Sequence, residues 1–111
     1  MLSPYTVLDL TGGHGDLASM LLGDMGATVI KVEPPGGAAG RNEPPFIEDA
    51  PESESSLPFF AFNRNKQGIT LDLELEAGRN VLRGLVEKAD FLFESGRPAS
   101  LDSLGLGFDE L

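Results

Sequence analysis

Thr6-Val-Leu-Asp-Leu10, Thr11-Gly-Gly-His-Gly-Asp16, Leu17 to Met25 and Gly26-Ala-Thr-Val-Ile-Lys-Val-Glu33 follow one another without interruption. They read as a buried strand, a glycine-rich turn, a short helix and a second buried strand ending in a carboxylate, half of a nucleotide-binding α/β fold. Val7 to Leu10 form a short continuous apolar run, as expected of a parallel strand covered on both faces. Gly12, Gly13 and Gly15 let the backbone turn sharply, and Asp16 is placed to accept from the first free N–H groups of the helix. Leu17, Met20, Leu21 and Met25 give that helix a core-facing stripe, and Gly26 ends it as a left-handed cap. Thr28 to Val32 are the second strand, with Lys31 expected near a sheet edge or with its stem along apolar surface.

Beyond Glu33 the composition changes. Residues 34–58 are rich in Pro, Gly, Ser and acid and lack periodicity, so they are expected to form a long loop, with Phe46-Ile47 able to pin its middle and Glu48 to Glu54 facing solvent. Phe59-Phe60-Ala-Phe62 reads as a short aromatic helix or turn, held in the core or buried against a partner segment outside this stretch, feeding a polar bend from Asn63 to Gly68. Ile69 to Leu73 are a third strand. Gly78, Val81, Leu82, Leu85 and Ala89 recur at helical spacing, with acid at the start and cations at the end, which predicts a helix over Glu76–Lys88. Phe91 to Phe93 are a fourth strand, Glu94 to Pro98 a turn, and Ser100 to Leu104 one further helical turn. Strands alternating with helices predict an α/β fold: a Rossmann-like parallel sheet of four strands with helices on both faces.

The 111 residues suit one compact domain, which buries roughly two-thirds of its unfolded surface. No apolar run approaches the about 20 residues that span a bilayer, and the N-terminus lacks a secretory signal, so a cytoplasmic location without membrane contact is expected. With no cysteine, disulfides and thiolate chemistry are excluded, and the lone His14 cannot build a histidine metal site. A net charge of −10 argues against nucleic acid, whose phosphates are held by clustered Lys and Arg.

The opening turn fits more than one ligand. Gly13-His-Gly15-Asp-Leu-Ala18 matches the dinucleotide pattern, with Glu33 about 20 residues on where an acid binds a ribose. Asp16 at the helix start disfavours a pyrophosphate there. The same residues resemble the first motif of S-adenosylmethionine-dependent methyltransferases, whose cofactor tolerates acidic surroundings. A stand-alone nucleotide-binding module is the corresponding alternative. Asp9 reads as structural, either bonding N–H groups of the turn or facing the sheet end. Glu33 suits either a ribose or an anchoring role, and Arg64 and Lys66 either a phosphate clamp or exposed cations.

A third resemblance covers nearly the whole chain. Leu8-Asp9-Leu10-Thr11, Leu21-Leu-Gly-Asp-Met-Gly-Ala-Thr-Val-Ile-Lys-Val-Glu-Pro-Pro-Gly-Gly37, Asn63-Arg-Asn-Lys66, Ile69-Thr-Leu-Asp-Leu73, Gly78-Arg79, Ala89-Asp90, Glu94, Arg97-Pro98 and Leu104-Gly-Leu-Gly-Phe108 are similar, in order, to landmarks of the family III CoA-transferases and α-methylacyl-CoA racemases. The resemblance implies that residues 1–111 are the N-terminal, CoA-binding, Rossmann-like portion of a larger enzyme that moves coenzyme A between carboxylic acids, or of a related racemase. It implies coenzyme A or acyl-CoA as substrate and a carboxylic acid as its partner, with no permanently bound cofactor and no metal. The parent is expected to be an interlocked homodimer. The family's aspartate nucleophile belongs to a segment beyond Leu111, so no catalytic residue is assigned and the chain alone is expected to be inactive. Carried over by position, the CoA contacts are Gly13 and His14, then Leu71 and Glu74, then Ser95, Gly96 and Ser103. Arg97 joins them as the cation just past the fourth strand, where open α/β sheets place ligands. Glu74 and Ser103 stand where relatives can carry Lys and Arg, which implies a weaker hold on phosphate.

Overall fold

The computed structural model describes residues 2–12, 15–48 and 56–94. Strands β1 (Thr6–Asp9), β2 (Thr28–Glu33), β3 (Lys66–Thr70) and β4 (Phe91–Phe93) and helices α1 (Asp16–Asp24), α2 (Leu57–Phe62) and α3 (Glu76–Lys88) follow the expected alternation. All pairings are parallel, and the sheet runs in the order β3-β2-β1-β4. The chain therefore steps outward from β1 to β3, and α3 carries it back to the far side of β1.

Register and alternation decide what each face holds. Val7 lies opposite Val29, and Asp9 opposite Lys31. Because side chains alternate along a strand, these four share one face, while Leu8 and Ile30 share the other. On the first face Val7, Ala27 and Val29 form a buried cluster with Leu22 of α1 and Phe93 packed against it. On the second, Leu8 meets Leu82 of α3, both fully buried, with Ile30, Leu71, Leu85 and Leu92 around them. Helices thus cover opposite faces, as the β-α-β alternation requires. Helix α3 has the bounds that its spacing predicted, although Val81 faces solvent.

Helix α1 differs from expectation. Leu17, Leu21 and Met25 are 49%, 48% and 43% exposed, whereas Asp16, Ser19 and Met20 are buried. The inward stripe is Asp16, Ser19, Met20 and Gly23, spaced i, i+3, i+4, i+7, but made largely of small and polar residues. A Cβ on Gly23 would come within 3.3 Å of Val29 and 3.4 Å of the Asn65 carbonyl, so the glycine permits close approach. Asp16 does not cap the helix: Gly15 is the N-cap, without a side-chain cap bond, and the carboxylate turns inward to a buried ammonium. Gly26 does follow the helix with φ of 106°.

Strand β3 spans Lys66–Thr70, three residues ahead of the predicted Ile69–Leu73 at both ends: Lys66 is in the sheet and buries its side chain, and Leu71 to Leu73 lie past the strand. Lys31 likewise lies on an interior strand with its ammonium in an ion pair. Residues 34–48 are more ordered than a plain loop. Gly36 and Gly37 turn the chain at φ of 90° and 97°, and Ala39–Asn42 form a 3₁₀ turn. Phe46 and Ile47 are exposed, although the Phe46 backbone bridges to Ser56. Of the three aromatics in α2, Phe59 is buried, while Phe60 and Phe62 are exposed. The turn expected after Glu94, the helical turn expected at 100–104 and most of the acidic run 48–54 lie outside the described residues.

Candidate functional site

A parallel sheet whose connections reverse direction leaves a crevice at the C-terminal ends of its strands, where loops diverge to either side. Here the reversal falls between β1 and β4. A cavity of about 520 Å³ opens at that end of the sheet. Each strand contributes the residues just past its end: Leu10 after β1, Val32 to Pro35 closing β2, Leu71 to Glu74 after β3, and Glu94 after β4. Ligand clefts commonly measure roughly 300–1,000 Å³, with mostly apolar walls and few polar groups. This one is lined by the apolar Leu10, Val32, Leu71 and Leu73, the two prolines Pro34 and Pro35, and the acidic residues Glu33, Asp72, Glu74 and Glu94.

Backbone bonds fix the walls. Leu71 N–H donates to the Glu33 carbonyl at 2.9 Å, and Leu10 N–H to the Phe93 carbonyl at 2.8 Å. Asp72 Oδ1 accepts from Glu74 N–H at 3.1 Å, closing the turn that carries Glu74. Arg79, from the first turns of α3, donates through Nη1 to the carbonyls of Leu73 and Glu74 at 2.9 and 3.0 Å. Among the described residues no group of His, Cys, Asp and Glu converges as a metal site would.

Glu33 serves the loop. Arg41 Nε donates to its Oε2 at 2.7 Å and Nη2 to its Oε1 at 2.9 Å, while Ala38 N–H adds a third bond to Oε2 at 3.0 Å. Burial pushes this carboxyl upward, but the Arg41 bonds, the Ala38 N–H and the charges of Arg41 and Lys31 outweigh it and hold Glu33 below its ordinary value. Of the two roles open to Glu33 in the sequence, anchoring is the one the geometry shows.

Beside the cavity, Thr11 and the start of α1, the described ends of the β1–α1 connection, are held by buried charges. Asp9 Oδ1 accepts from the Thr11 N–H at 2.9 Å and hydroxyl at 2.6 Å. Its Oδ2 accepts from Ser19 Oγ at 2.6 Å and Lys66 Nζ at 2.8 Å. Burial raises the Asp9 carboxyl, and these bonds, led by Lys66, bring it below its usual value. Asp9 therefore has the turn-bonding role that its position suggested. Lys66 is no phosphate clamp, and Arg64 pairs with Asp24 at the surface, Nη2 to Oδ2, at 2.9 Å.

Of the expected CoA contacts, Leu71 and Glu74 both line the cavity. Gly13, His14, Ser95, Gly96, Arg97 and Ser103 lie outside the described residues. Leu10, Val32, Pro34, Pro35, Asp72, Leu73 and Glu94 also line the cavity and were not singled out as contacts in the sequence. Their shared signal is position: each lies at or just past the C-terminal end of a parallel strand.

Comparison with known proteins bears on this arrangement. A CAIB/BAIF family protein from Brucella suis superposes with a TM-score of 0.88 at 39% identity, over 98% of this chain and 29% of its own. The succinyl-CoA:(R)-benzylsuccinate CoA-transferase subunit BbsE of Thauera aromatica is 43% identical over 109 residues, 98% of this chain and 27% of its own length. A succinyl-CoA:mesaconate CoA-transferase of Haloarcula hispanica is 39% identical over 99% of this chain and 28% of its own length. The chain thus spans just over a quarter of the curated relatives it matches. The description of CoA-transferase family III fits residues 2–111, and with the parallel sheet and its crevice this places the chain in that family.

Proposed function

We propose that the cavity at the strand ends receives the coenzyme A portion of an acyl-CoA, and that the chain is the N-terminal CoA-binding part of an enzyme moving coenzyme A between carboxylic acids. The observation that carries the reading is the cavity itself, formed at the switch point by residues following all four strands, in a chain of this family. Leu71 and Glu74 are the described contacts. Gly13, His14, Ser95, Gly96, Arg97 and Ser103 complete the proposed set. The catalytic aspartate implied by the family resemblance lies outside this stretch, and the parent acts in the cytoplasm as a homodimer. Among the described residues no helix is long and apolar enough to cross a membrane. Relatives named for succinyl-CoA make it the first donor to assay.

The dinucleotide and S-adenosylmethionine readings both need Glu33 for a ribose. That carboxylate already accepts from Arg41 on both oxygens and from Ala38 N–H. Calorimetric titration with coenzyme A, NAD and S-adenosylmethionine separates the cases. Saturable binding of coenzyme A alone is expected; saturable binding of either of the others, with none of coenzyme A, overturns the proposal.

A further inference from the structure

Two lysines and two aspartates are buried together beneath the β1–α1 turn. The side chains of Lys31, Lys66, Asp9 and Asp16 are 3%, 2%, 0% and 4% exposed. Alternation puts Asp9, Lys31 and Lys66 on the face covered by α1, whose Asp16 and Ser19 point down to meet them. Lys31 Nζ donates to Asp16 Oδ1 at 2.6 Å and lies 3.6 Å from Asp9 Oδ1. Lys66 Nζ, besides its Asp9 bond, donates to the Asp16 carbonyl at 3.1 Å and Asn63 Oδ1 at 2.8 Å. Asn63 Nδ2 returns to Asp16 Oδ2 at 3.0 Å. Among the described residues no buried side-chain polar atom lacks a partner. Apolar residues of similar volume often hold a fold together as well as a buried charge cluster does, so its use here calls for a reason other than stability.

The reason lies in what the cluster touches. Lys31 also donates to the Thr11 carbonyl at 2.7 Å, in the first residue of the turn. Thr11 is thereby held through its N–H and hydroxyl by Asp9 and through its carbonyl by Lys31. A Cβ on Gly15 would collide with the Thr11 side chain, so the far end of the turn closes tightly on the same residue. From the opposite side, Gly40 N–H donates to the Gly12 carbonyl at 3.0 Å.

We infer that Lys31 is a positioning residue: from β2 it fixes Thr11 and Asp16, the two ends of the β1–α1 connection, and through Thr11 holds the adjoining Leu10 in place on the wall of the neighbouring cavity. The inference rests on the coenzyme A reading for its ligand. A cavity wall held in place before binding loses less freedom on binding, and a small displacement of a ligand-facing backbone has large effects. The role belongs to the ammonium, since the turn's carbonyl and the helix carboxylate both need its protons.

The test uses two variants in the intact polypeptide. Lys31→Met alone leaves two buried carboxylates, Asp9 and Asp16, with Lys66 as their one ammonium, and is expected to lower the melting temperature sharply. Lys31→Met with Asp16→Asn removes one whole ion pair, leaves Lys66 with Asp9, and should melt near the wild type. In that double variant, hydrogen exchange of the peptide from Leu10 to Leu17 is expected to quicken roughly tenfold, with β2 and β3 unchanged, and coenzyme A affinity to fall by about tenfold. Wild-type exchange in that peptide overturns the inference, as does wild-type affinity in the double variant. A parent that binds no coenzyme A while the variant's turn still exchanges faster overturns the ligand assignment and leaves Lys31 as the support of the turn.

Discussion

Arg41 grips Glu33 with two parallel hydrogen bonds while its guanidinium carbon lies 4.2 Å from the centroid of the Phe59 ring. One side chain therefore joins the end of β2, the 3₁₀ turn and α2. A lysine here could reach one carboxylate oxygen at a time and would lose the flat stacking. Arg41→Lys is expected to cost about 1–3 kcal/mol, read as a lower urea midpoint with unchanged slope. Faster proteolytic cleavage between Pro34 and Glu48 should accompany it.

The depressed carboxyls of Glu33 and Asp9 set the acid limb of stability. Folding lowers both below their unfolded values of about 4.3 and 3.9, so their contribution is complete above those values and is lost as pH falls through the folded ones. Urea midpoints should hold down to pH of about 5 and then fall steeply toward about 3. Glu33→Gln should be less stable at neutral pH and show a shallower acid decline.

Two glycines of α3 should respond to alanine with opposite signs. Helix propensity favours alanine by about 1 kcal/mol at either position. Nothing lies within 4 Å of a Cβ on Gly84, so Gly84→Ala should raise the melting temperature. A Cβ on Gly78 would collide with the backbone of Asp72, which cannot swing aside, and such overpacking costs about 1–3 kcal/mol. Gly78→Ala should lower the melting temperature and, by pushing back the Asp72–Glu74 wall, weaken ligand binding.

Leu82 is fully buried against Leu8 at the centre of the α3 face. Leu82→Ala removes that contact and leaves a void, for an expected loss of about 2–5 kcal/mol in denaturant unfolding.

The architecture was legible wherever apolar spacing agreed with burial. In α3, Leu82 and Leu85 face inward at the expected period, and β1 and β2 kept their places because their runs are continuous. Reading failed where polar residues occupy the interior. Helical spacing points to Leu17 and Leu21 as the core face of α1, yet Asp16 and Ser19 face inward, where Lys31 and Lys66 meet Asp16 and its neighbours. The start of β3 was missed for the same reason, since a lysine marks a bend unless its partners, 57 residues away in the case of Asp9, are known. Leu71 and Glu74 emerged from family resemblance, but the cavity around them joins four strand ends that only the sheet order brings together.

Inward placement of cations also alters what the surrounding solution meets. Lys31, Lys66 and Arg41, three of the eight cations, are turned toward Asp16, Asp9 and Glu33. The net charge of −10 is thus carried by the other acids of the sequence, with five further cations to offset them. An anionic ligand such as coenzyme A approaches against this field, which extends about 8–10 Å at ordinary ionic strength. Encounter rates should therefore rise with added salt, the reverse of electrostatic attraction, leaving close contacts in the crevice to supply the affinity.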